Sequence, residues 1–376
     1  MSNDRLSLLA ANHLCDIVNN PQSVTWRVSG IDLRQFSTIG IGGRAGAVVR
    51  PQSEEDIVAI LKLCNDAGLT YCTKGNGSNT VYGDLDILLD MTSLNKVIDG
   101  SGNLVPIGDV EMGDGTLLLQ SGALLGRSQS INLVSDNFVV PNLVHPHTLE
   151  SLMFSYRNSL AGLAYKHSLS GIEDLADIPG TVGGATIMNV QAYQQFMGNI
   201  VDEVILISPK GKRVVIPKSG RFKNLRFGYR HSILQESGYQ GHVLYAVKIS
   251  LNPGKQKDIQ DRMYEQAIER GRNHPKGLSV GSVFKLRGYD ADKGGAIDFR
   301  ADELIRQAKC DDYSVNGITV AKQYPVFLMN SGSATLTDFI NAMQYIHDQV
   351  KSVTGISLKP EVKFLPYSLT PDLNST

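Results

Sequence analysis

The sequence predicts an α+β protein: a β-α-β unit, then a largely antiparallel sheet region, then a C-terminal α+β part. Three observations predict it. A strand–helix–strand run lies near the start, short apolar runs broken by turns fill the middle, and two amphipathic helices lie in the last third. At 376 residues the chain exceeds the ~250–300 at which one core stops growing, so two or three domains sharing clefts are expected.

After a Gly-rich turn at Ile39 to Gly43, the stretch AGAVVRPQSEEDIVAILKLCNDAG reads as strand, loop and helix. Ser53 is the N-cap, Gly68 the stop, and Ile57, Ile60, Leu61 and Cys64 form the inner face. A strand near Thr70 to Thr73, a Gly/Asn/Ser loop and a strand over Asp86 to Met91 complete the unit, placing a boundary near residue 93. From 94 to 250 the chain alternates apolar runs with turns, with one helix expected over Leu149 to Lys166. Leu125 to His147 fits neither period and reads as a long loop. KQKDIQDRMYEQAIERGR is helical, and DFINAMQYIHDQVKSVTG is a helix with Ile340, Met343, Ile346, Val350 and Val353 inward and Gly355 at its end. ISLKPEVKFLP reads as a strand with Glu361 and Lys363 on an exposed face and Val362 and Phe364 on the other.

Thirty-six basic and 37 acidic side chains give a net charge of −1, which leaves no broad footprint for nucleic acid or an anionic membrane but allows a small anionic ligand. Cys15, Cys64, Cys72 and Cys310 lack C-x-x-C spacing, so reduced thiols in a cytoplasmic protein are the simpler reading. The opening residues read as a short amphipathic helix rather than a secretory signal. No apolar run approaches the ~20 residues of a membrane span. His145-Pro146-His147 lacks a third ligand at useful spacing, so no metal site is expected. Trp26 and the methionines read as packing residues.

Three glycine-rich loops stand out: Ile39-Gly40-Ile41-Gly42-Gly43, Lys74-Gly75-Asn76-Gly77-Ser78-Asn79 and Ile178-Pro179-Gly180-Thr181-Val182-Gly183-Gly184. Each removes side-chain bulk and bares backbone N–H groups, as a pyrophosphate requires; each also reads as a plain tight turn. None matches the dinucleotide fingerprint or the P-loop. Phe227-Gly228-Tyr229-Arg230-His231-Ser232, Gly281-Ser282-Val283-Phe284-Lys285 and Glu361 are polar without an evident structural reason, and each alone also reads as ordinary surface or turn.

In order, these segments resemble the UDP-N-acetylenolpyruvoylglucosamine reductase family. Ser37-Thr38-Ile39-Gly40-Ile41-Gly42-Gly43 is similar to N-T-x-G-I-G-G, and Gly75 to Asn79 to G-G-G-S-N. Gly171-Ile172-Glu173 through Gly184, with Met188-Asn189 and Ala192-Tyr193, is similar to the long block around I-P-G-T-V-G-G. Phe227 to Ser232 resembles F-G-Y-R-D-S, Gly281 to Lys285 resembles G-S-[VF]-F-K, and Pro360-Glu361-Val362 the C-terminal P-E-V.

The resemblance implies a two-part FAD-binding module (1–93 and 94–252, the latter with an insertion near 125–147) followed by a substrate-binding domain (253–376). It implies FAD as cofactor, NADPH as reductant and a nucleotide-sugar enolpyruvyl ether as substrate. Thr38, Gly40, Gly42, Gly43, Gly75, Asn76, Gly77, Ser78, Asn79, Pro179, Gly180, Thr181, Gly183, Gly184 and Gly281 would hold the cofactor. Arg230, Ser282 and Glu361 would be catalytic, and Tyr193, Tyr229 and Lys285 would meet the substrate. The short interval between Arg230 and Ser282 resembles the shorter-lidded type.

The chain departs from the family where Leu286 stands for a substrate-contacting Asn, where Gln191 and Gln194 replace glycines, where Asn76 replaces the middle Gly, and where Lys285 to Asp298 runs long. These changes leave two alternatives: a paralogue reducing another enol ether or conjugated acid, or a flavin-binding protein without turnover.

Overall fold

The computed structural model describes residues 27–111, 115–127, 149–218, 224–290, 295–366, 368 and 370–371. The expected N-terminal helix, Trp26, His145, His147 and most of the long loop lie outside these.

The first body is a four-stranded sheet ordered β1 (Arg27–Asp32), β2 (Arg44–Val49), β5 (Leu85–Asp90), β3 (Tyr71–Lys74). β2, β5 and β3 run parallel, while β1 pairs antiparallel with β2. Parallel neighbours need a crossover, and α1 (Glu54–Ala67) supplies it. The Ser53 hydroxyl accepts from the Asp56 N–H, and Gly68, at φ +64°, closes the C-terminus. Ile57, Ile60, Leu61 and Cys64 are all buried, as the periodicity requires. β4 (Thr80–Tyr82) lies outside this sheet.

The second body is a six-stranded sheet in which every neighbour is antiparallel. Its order is β13 (Arg213–Pro217), β12 (Val201–Ile207), β14 (Val243–Ser250), β8 (Thr116–Gln120), β6 (Lys96–Ile98), β7 (Leu104–Pro106). Two-residue pairs, β9 (Leu169–Ser170) with β15 (Asn252–Pro253) and β10 (Gln191–Ala192) with β11 (Gln195–Phe196), tie down its margins. Ile205, Ile207, Val243 and Tyr245 share a core with Ile57, Ile60 and Ile87 of the first body. The two sheets are thereby fixed to each other by burial rather than by a linker.

The single helix expected over Leu149 to Lys166 is two: α2 (Leu149–Tyr156) and α3 (Leu160–Lys166). The Ser159 hydroxyl caps the second by accepting from the Gly162 N–H at 3.2 Å. Leu160 and Ala161 donate to the carbonyls of Leu124 and Leu125 at 2.9 and 3.1 Å. Ser favours caps over helix interiors, and here the cap lets the chain pair with the third glycine loop's neighbourhood. The described start of the long loop is therefore anchored: Leu125 N–H donates to Gly180 at 3.0 Å and Arg127 N–H to Ala176 at 3.3 Å. Short helices α4 (Val182–Ile187) and α5 (Met197–Ile200) follow.

The last part opens with α6 (Gln256–Asn273) and a hairpin, β16 (Arg287–Asp290) with β17 (Gly295–Arg300). After α7 (Ala301–Gln307) come β18 (Ser314–Val315), β19 (Ile318–Val320) and β20 (Leu328–Asn330), then α8 (Leu336–Thr354). A capping box of Thr335 and Asp338 starts α8, and Gly355, at φ +74°, ends it. Its inner stripe is Phe339, Ala342, Met343, Ile346, His347 and Val350. Val353, expected inside, is 59% exposed because the last turn runs past the core, and Ile340 sits at its edge.

The C-terminal strand is shorter than the sequence suggests, with β21 spanning only Lys363–Leu365. It pairs parallel with β4, far back in the chain. Val362 and Phe364 enter the core, as expected, but the opposite face does not lie on the open surface: Glu361, at 7% exposed, and the half-buried Lys363 and Leu365 line a cavity.

Candidate active site

All three parts of the chain meet around a cavity of about 670 Å³, within the ~300–1,000 Å³ of small-molecule sites. Six basic side chains (Lys74, Arg127, Arg230, Arg270, Lys276 and Lys363) and two carboxylates (Asp177 and Glu361) line it. In a chain of net charge −1, that excess fits an anionic occupant.

The three glycine loops play different parts. The second lies in the wall over its whole length, Gly75 through Asn79. Among the described residues its five backbone N–H groups donate to nothing, whereas three of its carbonyls are taken: Gly75 O accepts from Lys74 Nζ at 2.7 Å, Gly77 O from Thr38 N–H at 3.0 Å and Asn79 O from Lys363 N–H at 3.0 Å. Successive N–H groups freed in this way form an anion-binding concavity. Gly77, at φ +66°, packs so closely that a Cβ would lie 2.0 Å from Phe36 O.

The third loop also lines the cavity with Pro179, Gly180, Thr181, Gly183 and Gly184, but much of its hydrogen bonding is internal. Val182 and Gly183 N–H donate to Ala123 and Ser121 carbonyls at 2.8 Å each, and Gly184 N–H to Thr181 Oγ1 at 3.2 Å. It meets the second loop where Ser78 Oγ donates to Pro179 O.

The first loop contributes only Thr38 to the lining. Gly40, Gly42 and Gly43 stand behind the wall; a Cβ on Gly42 would strike Leu33 C at 2.7 Å and one on Gly43 Asp84 Oδ1 at 2.5 Å. Ile39 and Ile41 are buried in the core of the last part, and Asn330 Nδ2 donates to Ile39 O at 2.9 Å. Gly42 and Gly43 serve close packing within the first body, while Ile39 and Ile41 tie the loop to the last part.

Arg230 and Glu361 stand 131 positions apart and form an ion pair, Nε to Oε1 at 2.6 Å, with side chains 15% and 9% exposed. Arg230 occupies a left-handed turn position at φ +53°. That conformation costs about 1–3 kcal/mol in a non-glycine residue and persists only where neighbours over-determine it. They do: Asn189 Nδ2 donates to Gly228 O at 2.8 Å, Ser232 Oγ to Ile187 O at 2.6 Å, and Arg230 Nη1 to Gln191 O at 3.2 Å. Gln191, one of the departures from the family pattern, thus holds the guanidinium through its backbone.

Glu361 is fixed by its N–H to Val283 O at 2.8 Å and by Asn79 Nδ2 to its own carbonyl at 3.3 Å. The second loop therefore touches both the cradle and the ion pair. Glu361 Oε2 is buried without a hydrogen-bond partner among the described residues, as is Ser121 Oγ at the same cavity. Buried polar atoms rarely stay unpaired unless a site awaits a ligand or water. Gly281, at φ +76° and near Ser78 O, precedes Ser282 in the wall, and no hydrogen bond among the described residues occupies the Ser282 hydroxyl.

Burial pushes the Glu361 carboxyl above the ordinary carboxylate range, against the lowering pull of Arg230, Lys285 and Lys363. Contact with Arg230 favours the ionised form and desolvation the neutral one; so deep in the protein, desolvation prevails. The same burial brings Lys363 down to about 8 and lowers Lys285.

Lys285, Tyr193 and Tyr229 are not in the wall. Lys285 lies behind Glu361, close enough to lower its pKa. Tyr193 is 40% exposed beside Arg262, and the Arg230 guanidinium sits 5.4 Å from the Tyr229 ring centroid. Leu286 packs against the core of the last part rather than facing the cavity. Sequence reasoning missed Lys74, Arg127, Asp177, Arg270, His274 and Lys363 as liners. Lys74 opens the second glycine-rich loop and Lys363 shared the Glu361 face, so those two could have been found. Arg127, Asp177 and Arg270 carried no motif and come together only in the fold, with Asp177 ion-paired to Arg127 and 3.6 Å from Arg270 Nε.

Comparison with known proteins bears on this arrangement. A model of the UDP-N-acetylenolpyruvoylglucosamine reductase C-terminal domain matches residues 274–365, the segment holding Ser282 and Glu361. A reductase of that name from Caldanaerobacter subterraneus is 27% identical over 339 residues, 89% of this chain and 91% of that protein. Over about nine-tenths of its length the chain is similar to the UDP-N-acetylenolpyruvoylglucosamine reductases. Another such reductase, from Streptococcus pneumoniae, is 27% identical over 354 residues, 91% of this chain and 92% of that one. The crystal structure of the Thermus caldophilus reductase shares the fold at a TM-score of 0.61 and 21% identity, covering 91% of this chain and all of that one. An FAD-binding domain model matches residues 45–125. The residues present fit FAD in a reductase of this family: the bare N–H groups of Gly75 to Asn79 suit its diphosphate, and the excess of basic lining suits its charge.

Proposed function

We propose that this protein is an FAD-dependent reductase that uses NADPH to convert the enolpyruvyl ether of UDP-N-acetylglucosamine enolpyruvate to UDP-N-acetylmuramate, in the cytoplasm. The family supports the reaction. One observation carries the assignment of the site: a buried arginine–carboxylate pair and an unoccupied serine hydroxyl share a cavity with a bare phosphate nest. In this reading residues 1–93 and 94–252 hold the cofactor and 253–376 bring the substrate to it.

When bound, FAD supplies hydride transfer, accepting from NADPH and delivering to C3 of the enol ether. The chain manages the charge that follows. Negative charge builds at C2 and its carboxylate, and the Arg230 guanidinium, already fixed by Gln191 O and Glu361, stabilises it without reorganising. Glu361 holds the Nε edge of that arginine and so fixes the direction of its free edge. Ser282 gives its proton to C2. A hydroxyl is a weak acid, but an enolate is a strong enough base when the two are aligned.

Anaerobic stopped-flow absorbance at the visible flavin band tests the proposal. NADPH should bleach the yellow protein, and UDP-N-acetylglucosamine enolpyruvate should rapidly restore the band. Bleaching without restoration would show that a different acceptor is reduced, and a colourless protein that takes up no FAD would refute the reading altogether.

A further inference from the structure

Beneath the second glycine loop lies a buried cation that nothing in the family motif specifies. Lys74 is 8% exposed and lines the cavity. Its Nζ donates to Gly75 O at 2.7 Å and lies 3.3 Å from Asp90 Oδ1. Asp90, fully buried, also accepts from Arg50 Nε at 2.9 Å and from Thr92 Oγ1 at 2.7 Å. The Phe36 ring centroid is 5.7 Å from the ammonium.

Two consequences follow from this placement. By donating to the Gly75 carbonyl while lying beside Asp90, Lys74 ties down the first peptide of the loop. The Lys74–Asp90–Arg50 group also carries one net positive charge, and its buried cation, Lys74, is bonded to the loop's first carbonyl and lines the cavity. Water screens such a charge poorly, so an anion in the nest feels more of it than of a surface lysine.

We propose that Lys74 is a cofactor-positioning residue, which both shapes the Gly75 to Asn79 nest and supplies the buried charge that binds the diphosphate of FAD. The inference rests on the flavin reading above. It explains why a residue whose stem could have been replaced by leucine at a buried strand end is a lysine with a carboxylate partner. It also separates the binding of the diphosphate from that of the ring system, because riboflavin has the ring but no phosphate.

The test is flavin binding to the deflavinated full chain, with FAD and riboflavin titrated in parallel. Lys74→Met should weaken FAD on the order of 10- to 100-fold, as loss of a charged hydrogen-bonding group does, and shift riboflavin less than about threefold. Lys74→Arg should recover most of the FAD affinity. Asp90→Asn should raise the ratio of FAD to riboflavin affinity, since it leaves the cations unneutralised. The ratio is the deciding quantity because damage to the fold moves both flavins together, and Asp90→Asn gives a second reading of it should Lys74→Met fail to fold. An unchanged ratio in the variants, with wild type binding FAD normally, overturns the role of Lys74 and leaves the flavin reading standing. Failure of wild type to bind FAD overturns both.

Discussion

Replacing Arg230 by methionine keeps most of its apolar stem and leaves the Glu361 carboxyl buried without its 2.6 Å partner. Breaking one side of a buried pair commonly costs about 3–5 kcal/mol because the survivor is an uncompensated charge. Glu361 has an escape, since it can take up a proton. Holding a carboxyl of ordinary pKa 4.5 neutral at pH 7 costs roughly 1.36 kcal/mol for each of about 2.5 pH units, or ~3.4 kcal/mol. That figure caps the penalty from the orphaned charge, and at pH 5.5 the cap falls to ~1.4 kcal/mol. The sign follows from linkage: the folded variant binds a proton that the unfolded chain lacks, so its stability rises as pH falls toward the unfolded pKa. Urea unfolding at pH 7 and pH 5.5 measures the deficit against wild type, which should shrink by up to about 2 kcal/mol at the lower pH. Adding Glu361→Gln should remove the pH-dependent part of the deficit. Flavin reoxidation by substrate should fall about 10²–10³-fold in both variants, while reduction by NADPH stays near normal. A deficit equal at the two pH values, or a double variant no more stable than the single, would refute the reasoning.

The remaining expectations concern other parts of the site. Ser282→Ala should spare reduction by NADPH and depress product formation at least about 10²-fold, the usual scale of a positioned proton donor; unchanged turnover would remove Ser282 from the reaction. Gly77→Ala should cost FAD binding and about 1–3 kcal/mol of stability, because its Cβ would fall 2.0 Å from Phe36 O at a positive φ, whereas Gly100→Ala, which meets nothing within 4 Å, should be silent in the same thermal and flavin-retention assays. His274, a cavity liner whose pKa burial lowers to about 3, stays neutral while the unfolded chain gains a proton below pH 6.5. Stability should therefore fall by about 2 kcal/mol between pH 6.5 and 5 from this group, and His274→Gln should lose that part of the slope in urea titrations.

The local signals that proved legible were those written in periodicity and caps. Ser53, Gly68 and Gly355 mark helix ends through a side-chain acceptor and left-handed backbone, both local in sequence. Antiparallel strands of the second body were visible for the same reason. What could not be read depended on distant partners. A single period ran across Leu149 to Lys166 because nothing nearby reveals that Leu160 and Ala161 bond to Leu124 and Leu125. Likewise the glycines of the first loop look like those of the second, yet Ile39 and Ile41 are claimed by a core almost three hundred residues further on. Alternation along Pro360 to Leu365 correctly separated the two faces but not what each faced, since a cavity and bulk water impose the same polar pattern.

The return of β21 to β4 bears on how the site can open. The third part of the chain leaves the second body near Leu251 and comes back to the first at Lys363, where three residue pairs of parallel ladder hold it. A segment attached at one end can wander; one attached at both, to two bodies that share a core, behaves like a door on two hinges. Its rigid-body freedom reduces to swinging about the line through those attachments, and Glu361 sits two residues from one of them. The jamb end of a door travels least. Admission of a bulky substrate would then move the outer helices more than the carboxylate, and because Glu361 N–H is bonded to Val283 O, Ser282 stays with the arginine–carboxylate pair.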